Sequence, residues 1–180
     1  MVSVYVFEGE RIISCMITMT RAKTQDADKL GKLYYKCLLE TYSEIMGEEK
    51  ALQSFSVDKC IAEFKKTRCI DVIIGWLDNK MIGFCEYCGC KDPGALRDTG
   101  EVTKIYVLKE HQNHGEGRRL IHEAVRFLRR QEYNQAISWV EPENNNAAAF
   151  YKEMGFLPDA GVNRINPQTG LKEIIYFRNI

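Results

Sequence analysis

Apolar side chains recur along the chain with two different periods, and each period predicts a different kind of element. Within residues 24–42 they fall three and four positions apart, which is typical of one buried face of an α-helix. The same spacing predicts a helix from about Gly117 onward. Shorter helices are predicted over residues 57–66 and over residues 144–154, where Gly155 is suited to end the helix. A polar break is expected at residues 47–50, between the first two helices.

Runs of β-branched and apolar residues bounded by turn residues predict the strands. Asp78-Asn79-Lys80 joins two of these runs as the turn of a hairpin, and Pro93 and Gly94 indicate a loop within residues 91–100. The predicted strands cover residues 17–21, 69–77, 81–90, 101–108, 136–140, 156–162 and 174–178.

The order of these elements is strand, two helices, three strands, helix, strand, helix and two strands. Strands that are joined partly by hairpins and partly through helices form a mixed sheet with helices on both faces. We therefore predict an α/β fold, an α+β arrangement in which a mixed sheet of six or seven strands is flanked by about four helices. Residues 16–180 are expected to form a single domain, and residues 1–15 an extension or an extra edge strand.

Composition and charge narrow the class of protein. An apolar content of 45% and a charged content of 28% in 180 residues are typical of one well-packed globular domain. The 25 basic and 25 acidic side chains cancel, so no global positive field attracts nucleic acid. Glu8, Glu10 and Arg11 interrupt the first apolar run, and no apolar stretch approaches the roughly 20 residues that span a bilayer. We expect a cytoplasmic protein without nucleic-acid or membrane partners.

Seven cysteines, an odd number, indicate reduced thiols and not a disulfide framework. Cys85, Cys88 and Cys90 lie close together on a predicted strand, where alternation directs Cys85 to one face and the other two to the opposite face. A closed zinc site needs four convergent ligands, and a matching second pair is missing. We therefore expect no metal site, and interpret these cysteines as small buried side chains.

One segment carries most of the functional information: Gln112-Asn113-His114-Gly115-Glu116-Gly117-Arg118, between a predicted strand and a predicted helix. Two glycines separated by one residue allow a tight turn that directs several consecutive N–H groups into one concavity. The N-terminus of the following helix adds partial positive charge. The turn is therefore suited to binding a phosphate or a pyrophosphate.

This turn, with its Gln-x-x-Gly-x-Gly pattern, and the order of the elements resemble the GCN5-related N-acetyltransferase (GNAT) superfamily. A second block is similar to the family's Asn-x-x-Ala-x-x-x-Tyr-x-x-x-Gly-Phe segment; it reads Asn144-Asn145-Asn146-Ala147-Ala148-Ala149-Phe150-Tyr151-Lys152-Glu153-Met154-Gly155-Phe156. More loosely, the segment from Thr41 to Val57 resembles the helix-loop-helix that covers the substrate side in many small-molecule members. The resemblance extends over about residues 17–180.

In that family the glycine turn binds the pyrophosphate of acetyl-coenzyme A (acetyl-CoA). The resemblance thus assigns this cradle to the backbone of Gln112, Asn113, His114, Gly115, Glu116 and Gly117, with Arg118 at the start of the helix. Glu116 stands where the family commonly has an apolar residue, and its carboxylate repels phosphate unless it points outward. Asn144 is expected to contact the cofactor, to cap the following helix, or to do both.

Acetyl transfer to an alkyl amine requires that the amine lose its proton. For an amine with a pKa of about 10.4, deprotonation at pH 7 costs about 4.6 kcal/mol. A carboxylate that acts directly or through water offsets part of this cost. Glu101 corresponds to the catalytic glutamate of the histone-modifying members of the family and is the predicted base. The alternative interpretation is a solvated residue at the start of a strand.

The resemblance implies two further roles. In the family the pantetheine arm enters between the splayed fourth and fifth strands, so Ile105, Tyr106 and Val107 are expected to contact the cofactor. A backbone N–H of Ile105 or Val107 can stabilise the thioester oxygen as it becomes an oxyanion. Tyr151 matches the position of the general acid that protonates the departing thiolate, and its alternative role is packing.

These expectations predict an acetyl-CoA-dependent N-acetyltransferase that moves an acetyl group directly to a primary amine of a small molecule within a ternary complex. Two alternatives stay open: acetylation of a protein N-terminus or lysine, and a non-catalytic CoA-binding sensor module. Glu101, Asn144 and Tyr151 beside an intact cradle disfavour the sensor. Homodimers are common among similar proteins, although nothing in this sequence requires one.

Overall fold

The computed structural model describes residues 2–8, 11–68, 70–90 and 98–180, with side chains from residue 17 onward. Of the loop predicted within residues 91–100, residues 91–97 lie outside this part of the chain, and Thr99 and Gly100 belong to a strand. In chain order the elements are β1 (Val2–Glu8), β2 (Arg11–Arg21), α1 (Ala27–Met46), α2 (Glu48–Ser54), α3 (Val57–Thr67), β3 (Val72–Leu77), β4 (Lys80–Gly89), β5 (Thr99–Val107), α4 (Glu116–Arg130), β6 (Gln135–Val140), α5 (Asn145–Glu153), β7 (Leu157–Ile165) and β8 (Lys172–Asn179).

The described strands form one sheet in the order β1-β2-β3-β4-β5-β6-β8-β7. Neighbouring strands are antiparallel except β5 and β6, which are parallel. The predicted fold class, a mixed sheet flanked by helices, is confirmed. The described sheet has eight strands, and β1 is the additional strand beyond the six or seven that were predicted.

The N-terminal part of the sheet extends further than the sequence indicated. β2 begins at Arg11 and not at Ile17, because its first half pairs with β1 as an antiparallel hairpin while its second half pairs with β3. The predicted boundary between residues 1–15 and 16–180 therefore falls inside a strand. The division of the chain at that point stays a prediction.

The structure contains a fifth helix, α2, where the sequence indicated a polar break at residues 47–50. Gly47 ends α1 with a φ of +88°, a conformation that favours glycine. The polar residues that follow are Glu48 and Glu49 in the first turn of α2, where carboxylates interact favourably with a helix N-terminus. Ala51 of the same helix is completely buried. The polar run thus begins a helix instead of forming a loop.

Two clusters of buried side chains lie on opposite faces of the sheet. α1 and α3 cover the first cluster, in which Leu30, Phe64 and Phe84 are fully buried. α4 and α5 cover the second cluster, which includes Cys85 and Leu120. Adjacent residues of a strand point to opposite faces, which is why Phe84 and Cys85 belong to different clusters.

The strands β5 and β6 separate along their length, and this separation determines the position of the site. On β5 the parallel pairing with β6 extends from Thr99 to Glu101. Beyond Glu101 the register between β4 and β5 also shifts, and Thr103 becomes an extra residue in β5, a β-bulge. Because β5 bends while keeping its pairing with β4, a gap opens towards β6.

Neither a membrane span nor a metal cluster is found in the described part of the chain. None of its helices is long and apolar enough to cross a bilayer. Its His, Cys, Asp and Glu side chains form no group of three or more that is placed to hold a metal ion.

Candidate active site

A groove of about 980 Å³ occupies the gap between β5 and β6. Its walls come from α1, β5, the glycine turn, the end of β6 and α5. The predicted site residues that line it are Ile105, Tyr106, Val107, Gln112, Asn113, Gly115, Gly117, Arg118, Asn144 and Tyr151. Three predicted residues, Glu101, His114 and Glu116, do not line it. The tertiary structure therefore brings most of the predicted set together around one cavity.

The glycine turn forms one end of the groove. Gly115 has a φ of +92° and immediately precedes α4, and Asn113 has a φ of +63°. The side-chain amide of Gln112 donates to the carbonyl of Val107 at 2.9 Å, which ties the turn to the end of β5. A Cβ at Gly115 would meet no atom within 4 Å, so the space above this residue is open. An open concavity at a helix N-terminus fits a phosphate group.

The two predicted cradle residues outside the lining differ in their surroundings. His114 is exposed. Glu116 is buried, with 4% of its surface exposed, and one of its carboxylate oxygens has no hydrogen-bond partner in the described structure. The sequence required this carboxylate to point outward if phosphate is to bind. It is instead buried and absent from the groove lining, so it does not face the open space above the turn.

Tyr151 of α5 lies inside the groove, bonded to Ser138 of β6. The Ser138 hydroxyl is 2.9 Å from the carbonyl oxygen of Val102 and 2.8 Å from the Tyr151 hydroxyl. A serine has one proton to donate and a carbonyl only accepts. When both bonds form, Ser138 donates to Val102 and Tyr151 donates to Ser138. Burial raises the pKa of Tyr151, so its phenol is protonated at neutral pH.

Asn144 occupies the N-cap position of α5. Its side-chain oxygen accepts a hydrogen bond from the backbone N–H of Ala147 at 3.0 Å, which satisfies one of the free donors at the start of the helix. The same residue lines the groove. The capping role is therefore observed, and contact with a cofactor stays a prediction.

The β5 segment Ile105-Tyr106-Val107 presents its free edge to the groove. Pairing with β4 uses the other edge of this segment, where Ile105 lies opposite Cys85 and Val107 opposite Gly83. Alternate backbone N–H groups of a strand point to each edge, so donors are available on the side of the gap. Tyr106 packs against Phe84 on the face covered by α1.

Glu101 lies where β5 and β6 are still paired. Only 8% of its surface is exposed, which rules out the interpretation as a solvated residue at the start of a strand. It is nevertheless absent from the groove lining. Its role as a base stays a prediction, and its absence from the groove lining does not favour it.

A different carboxylate, which the sequence did not single out, lies in the groove. Glu141 directly follows β6 and is buried, with 5% of its surface exposed. The hydroxyl of Tyr42 and the amide of Asn166 both donate to its Oε1, the second at 3.2 Å. Burial raises the pKa of Glu141, and the bond from Tyr42 partly opposes this rise. Its position at the end of a predicted strand was the one signal in the sequence.

The groove passes through the sheet, with different chemistry on each face. Ser138 and Val140 of β6 point to the side of α4 and α5, since Ser138 contacts Tyr151 and Val140 belongs to that cluster. Glu141 points to the other side, where it contacts Tyr42 of α1. A phenol donor and a buried carboxylate therefore approach the gap from opposite faces.

Comparisons with known proteins agree with this architecture. The family model of the acetyltransferase (GNAT) family matches residues 28–156. The chain is 28% identical over 139 residues to YuaI, an uncharacterized N-acetyltransferase of Bacillus subtilis (strain 168), covering 76% of this chain and 78% of that protein. The protein therefore belongs to the GNAT family and is an N-acetyltransferase.

Solved structures share the fold at low sequence identity. The PaiA N-acetyltransferase of Thermoplasma acidophilum, in complex with coenzyme A, superposes with a TM-score of 0.69 at 18% identity, covering 92% of this chain and 99% of that chain. YncA of Salmonella typhimurium, with acetyl-CoA, gives a TM-score of 0.68 at 18% identity, with coverage of 91% and 93%. The ribosomal-protein-alanine N-acetyltransferase of Brucella melitensis gives 0.69 at 17% identity, with coverage of 91% and 99%.

Proposed function

We propose that this enzyme transfers the acetyl group of acetyl-CoA directly to a primary amine of a small molecule, within a ternary complex. The observation that carries the proposal is the continuous groove from the glycine turn to the gap between β5 and β6, with Tyr151 and Glu141 inside it. Similar structures from Thermoplasma acidophilum and Salmonella typhimurium hold coenzyme A and acetyl-CoA, which supports the same co-substrate here.

The residues of the groove fit acetyl-CoA in order along its length. The turn from Gln112 to Gly117 offers backbone N–H groups and the N-terminus of α4 to the pyrophosphate, and the exposed Arg118 offers a positive charge beside it. The free edge of β5 offers main-chain donors to the pantetheine arm and, through Ile105 or Val107, to the thioester oxygen. Bound acetyl-CoA supplies the acetyl group and the thiol leaving group.

Tyr151 acts at the leaving group in this proposal. Its proton is held by Ser138 in the free enzyme and is available to the sulfur as negative charge develops there. Because burial raises the pKa of Tyr151, the phenol acts chiefly as a hydrogen-bond donor and remains protonated through the reaction.

The charge of the groove favours an amine acceptor. The lining carries five carboxylates and three basic side chains: Glu40, Glu44, Glu141, Glu143 and Glu153 against Lys104, Lys109 and Arg118. This acidic excess occurs in a chain whose formal net charge is zero. An acidic lining attracts a protonated amine and disfavours an anionic acceptor.

A second candidate is acetylation of a protein N-terminus. The similar fold of the Brucella melitensis enzyme, a ribosomal-protein-alanine N-acetyltransferase, is the observation that favours it. The burial of Glu141 beneath α1 favours the small amine, because a peptide N-terminus has to bring its following residues into the same space.

A thiol-release assay with acetyl-CoA tests the proposal. The acceptor panel comprises propylamine, ethanolamine, 1,4-diaminobutane, glucosamine, an alanine-initiated peptide and a lysine-containing peptide with a blocked N-terminus. We expect turnover with at least one small amine and a lower kcat/KM for both peptides. Preference for a peptide would support the second candidate. Tight coenzyme A binding without acetylation of any acceptor would refute the transferase proposal.

A further inference from the structure

Building on the proposed function, we propose that Glu141, in place of Glu101, binds the ammonium group of the acceptor and accepts its proton. The two carboxylates are both buried, with 5% and 8% of their surfaces exposed, so burial does not separate them. Their positions do. Glu141 lines the groove, whereas Glu101 lies where β5 is still paired with β6. A base must come within hydrogen-bond reach of the proton that it removes, and only a lining residue can do so directly.

The direction of approach also favours Glu141. Tyr151 reaches the groove from the side of α5, and Glu141 contacts Tyr42 on the side of α1. In acyl transfer the attacking amine and the departing sulfur occupy different positions around the carbonyl carbon. A donor for the leaving sulfur on one face and a proton acceptor for the amine on the other satisfy this requirement.

The charges packed around Glu141 leave a place for a cation. Tyr42 of α1 and Tyr106 of β5 face it as neutral phenols, and Glu173 of β8 faces it as a second carboxylate. Glu173 is itself paired with Arg164 of β7, at 2.7 Å between Oε2 and Nε. The side chains that donate hydrogen bonds to Glu141 are a phenol and an amide, and they, like the backbone donor that also lowers its pKa, are uncharged. A buried carboxylate is costly without a counter-ion, and a bound ammonium supplies one.

Asn166 and Tyr42 hold the carboxylate in place. The Asn166 amide bridges the two carboxylates, with Nδ2 at 3.2 Å from Glu141 and 3.0 Å from Glu173. Tyr42 donates to the same oxygen of Glu141 as Asn166 does. In this proposal the second oxygen, Oε2, receives the proton of the acceptor. Tyr42 is thus a positioning residue, which acts on the reaction through Glu141.

The proton balance of the step is as follows. The acceptor R–NH₃⁺ gives one proton to Glu141 and becomes R–NH₂, whose lone pair forms the C–N bond to the acetyl carbonyl carbon. The C–S bond breaks and its electron pair leaves on sulfur, beside Tyr151. The second proton of the amine ends on the thiol, and Glu141 returns its proton to solvent. The products are the acetamide, coenzyme A and one released proton.

The first experiment compares pH profiles of kcat/KM, with the acceptor that gives the highest wild-type value in the panel above. Glu141→Gln is expected to lower kcat at pH 7 by at least about 100-fold, the size of a typical general-base contribution. It should raise the KM for the amine and abolish the acid limb, meaning the bend at the pKa of Glu141 above which wild-type activity levels off. Activity should instead rise without a bend, about tenfold per pH unit, as free amine accumulates. The matched control is Glu143→Gln, an exposed lining residue on the same segment, which should retain the acid limb.

The second experiment uses Tyr42→Phe, which keeps the carboxylate and removes one hydrogen bond to it. Because this bond lowers the pKa of Glu141, its loss should move the acid limb to higher pH. Activity should fall at pH 6 and approach the wild-type value at pH 9. Independently of turnover, ¹³C NMR of glutamate carboxyl groups in the free protein should show a raised pKa for Glu141, raised further in this variant.

The outcomes separate this inference from the proposed function. Loss of the acid limb in Glu101→Gln together with its persistence in Glu141→Gln would overturn the assignment and leave the transferase intact. An acid limb that does not move in Tyr42→Phe would also overturn it, whatever the result with Glu141→Gln. Absence of acetylation by the wild-type enzyme with every acceptor would overturn both proposals. Binding of acetyl-CoA to each variant, measured by calorimetry, verifies that the fold is retained.

Discussion

Replacing Tyr151 with phenylalanine tests the leaving-group role with little damage to the fold. The change removes one buried hydroxyl, which is 2.8 Å from Ser138. Ser138 still donates to the carbonyl of Val102 at 2.9 Å, so no buried donor is left unsatisfied. The loss is therefore that of one ordinary hydrogen bond, about 0.5–1.5 kcal/mol. For a protein of this size that corresponds to a fall in Tm of roughly 1–6 °C.

The effect on turnover should be larger than the effect on stability. A hydrogen bond to a charged acceptor contributes about 1.5–3 kcal/mol. At about 1.36 kcal/mol per factor of ten, its loss lowers kcat by roughly 10- to 150-fold. The thioester sulfur of the bound substrate is a weak acceptor, so acetyl-CoA affinity should change by less than about threefold. Because burial raises the pKa of Tyr151, the ratio of variant to wild-type activity should be constant between pH 6 and 9.

The assay is single-turnover acetylation at saturating amine, with acetyl-CoA affinity measured separately by calorimetry. Tyr176→Phe is the matched control, since Tyr176 is equally buried, its ring centroid is 6.0 Å from that of Tyr151, and it does not line the groove. Its kcat should stay within about twofold of the wild-type value. An equal loss of kcat in the two variants would show that the effect is not specific to the hydroxyl of Tyr151. A parallel loss of kcat and of acetyl-CoA affinity would make Tyr151 a binding residue.

Three further predictions address the cradle, the core and the buried carboxylate. Gly117→Asp should weaken acetyl-CoA binding at least about 100-fold in a calorimetric titration. The new Cβ would lie 3.2 Å from the ring of Phe150, and the added charge would face the proposed phosphate site. An unchanged titration would remove the cradle assignment. Gly83→Ala should lower the free energy of unfolding by about 1–3 kcal/mol, because the new Cβ would lie 2.6 Å from the carbonyl oxygen of Tyr106. An unaltered Tm in thermal unfolding would contradict this close approach of β4 and β5. Glu141→Gln should raise the Tm at pH 7–8, because burial raises the pKa of Glu141. Such a carboxyl contributes its full stability below its unfolded pKa of about 4.3 and loses that contribution as the pH rises through its folded pKa. The glutamine variant does not undergo this loss. The gain should vanish towards pH 4 in scanning calorimetry, and a Tm below wild type throughout would contradict the reasoning.

Local patterns predicted the elements well where each element has its own periodicity. The apolar face of α4, with Leu120 and Leu128 both fully buried, is visible in the sequence because helical spacing repeats within a few residues. α2 was missed because its seven residues are too few to show that spacing and its first turn is polar. β2 was predicted too short because its first half is stabilised by β1, which the local pattern marked only weakly.

The site was predicted in part, for a related reason. The glycine turn and the Asn144 to Phe156 block are contiguous, so the backbone conformations that they require can be inferred from neighbouring residues. Ser138 carried no signal, since a serine inside a strand is ordinary until Val102 and Tyr151 are placed against it. Glu116 stood out in the sequence as a carboxylate inside the predicted cradle, but only packing decided that its side chain is buried.

By itself, the sequence determined most of the order of helices and strands, the turn suited to phosphate and the family to which the chain belongs, because each depends on residues that are close along the chain. Only the tertiary structure decided which carboxylate faces the groove. Tyr42 and Glu141 are 99 positions apart, and their contact exists because β5 and β6 separate beyond Glu101. Where two strands stop pairing is a property of the whole sheet, set by the bulge at Thr103 and by the packing of both faces, and no local pattern encodes it.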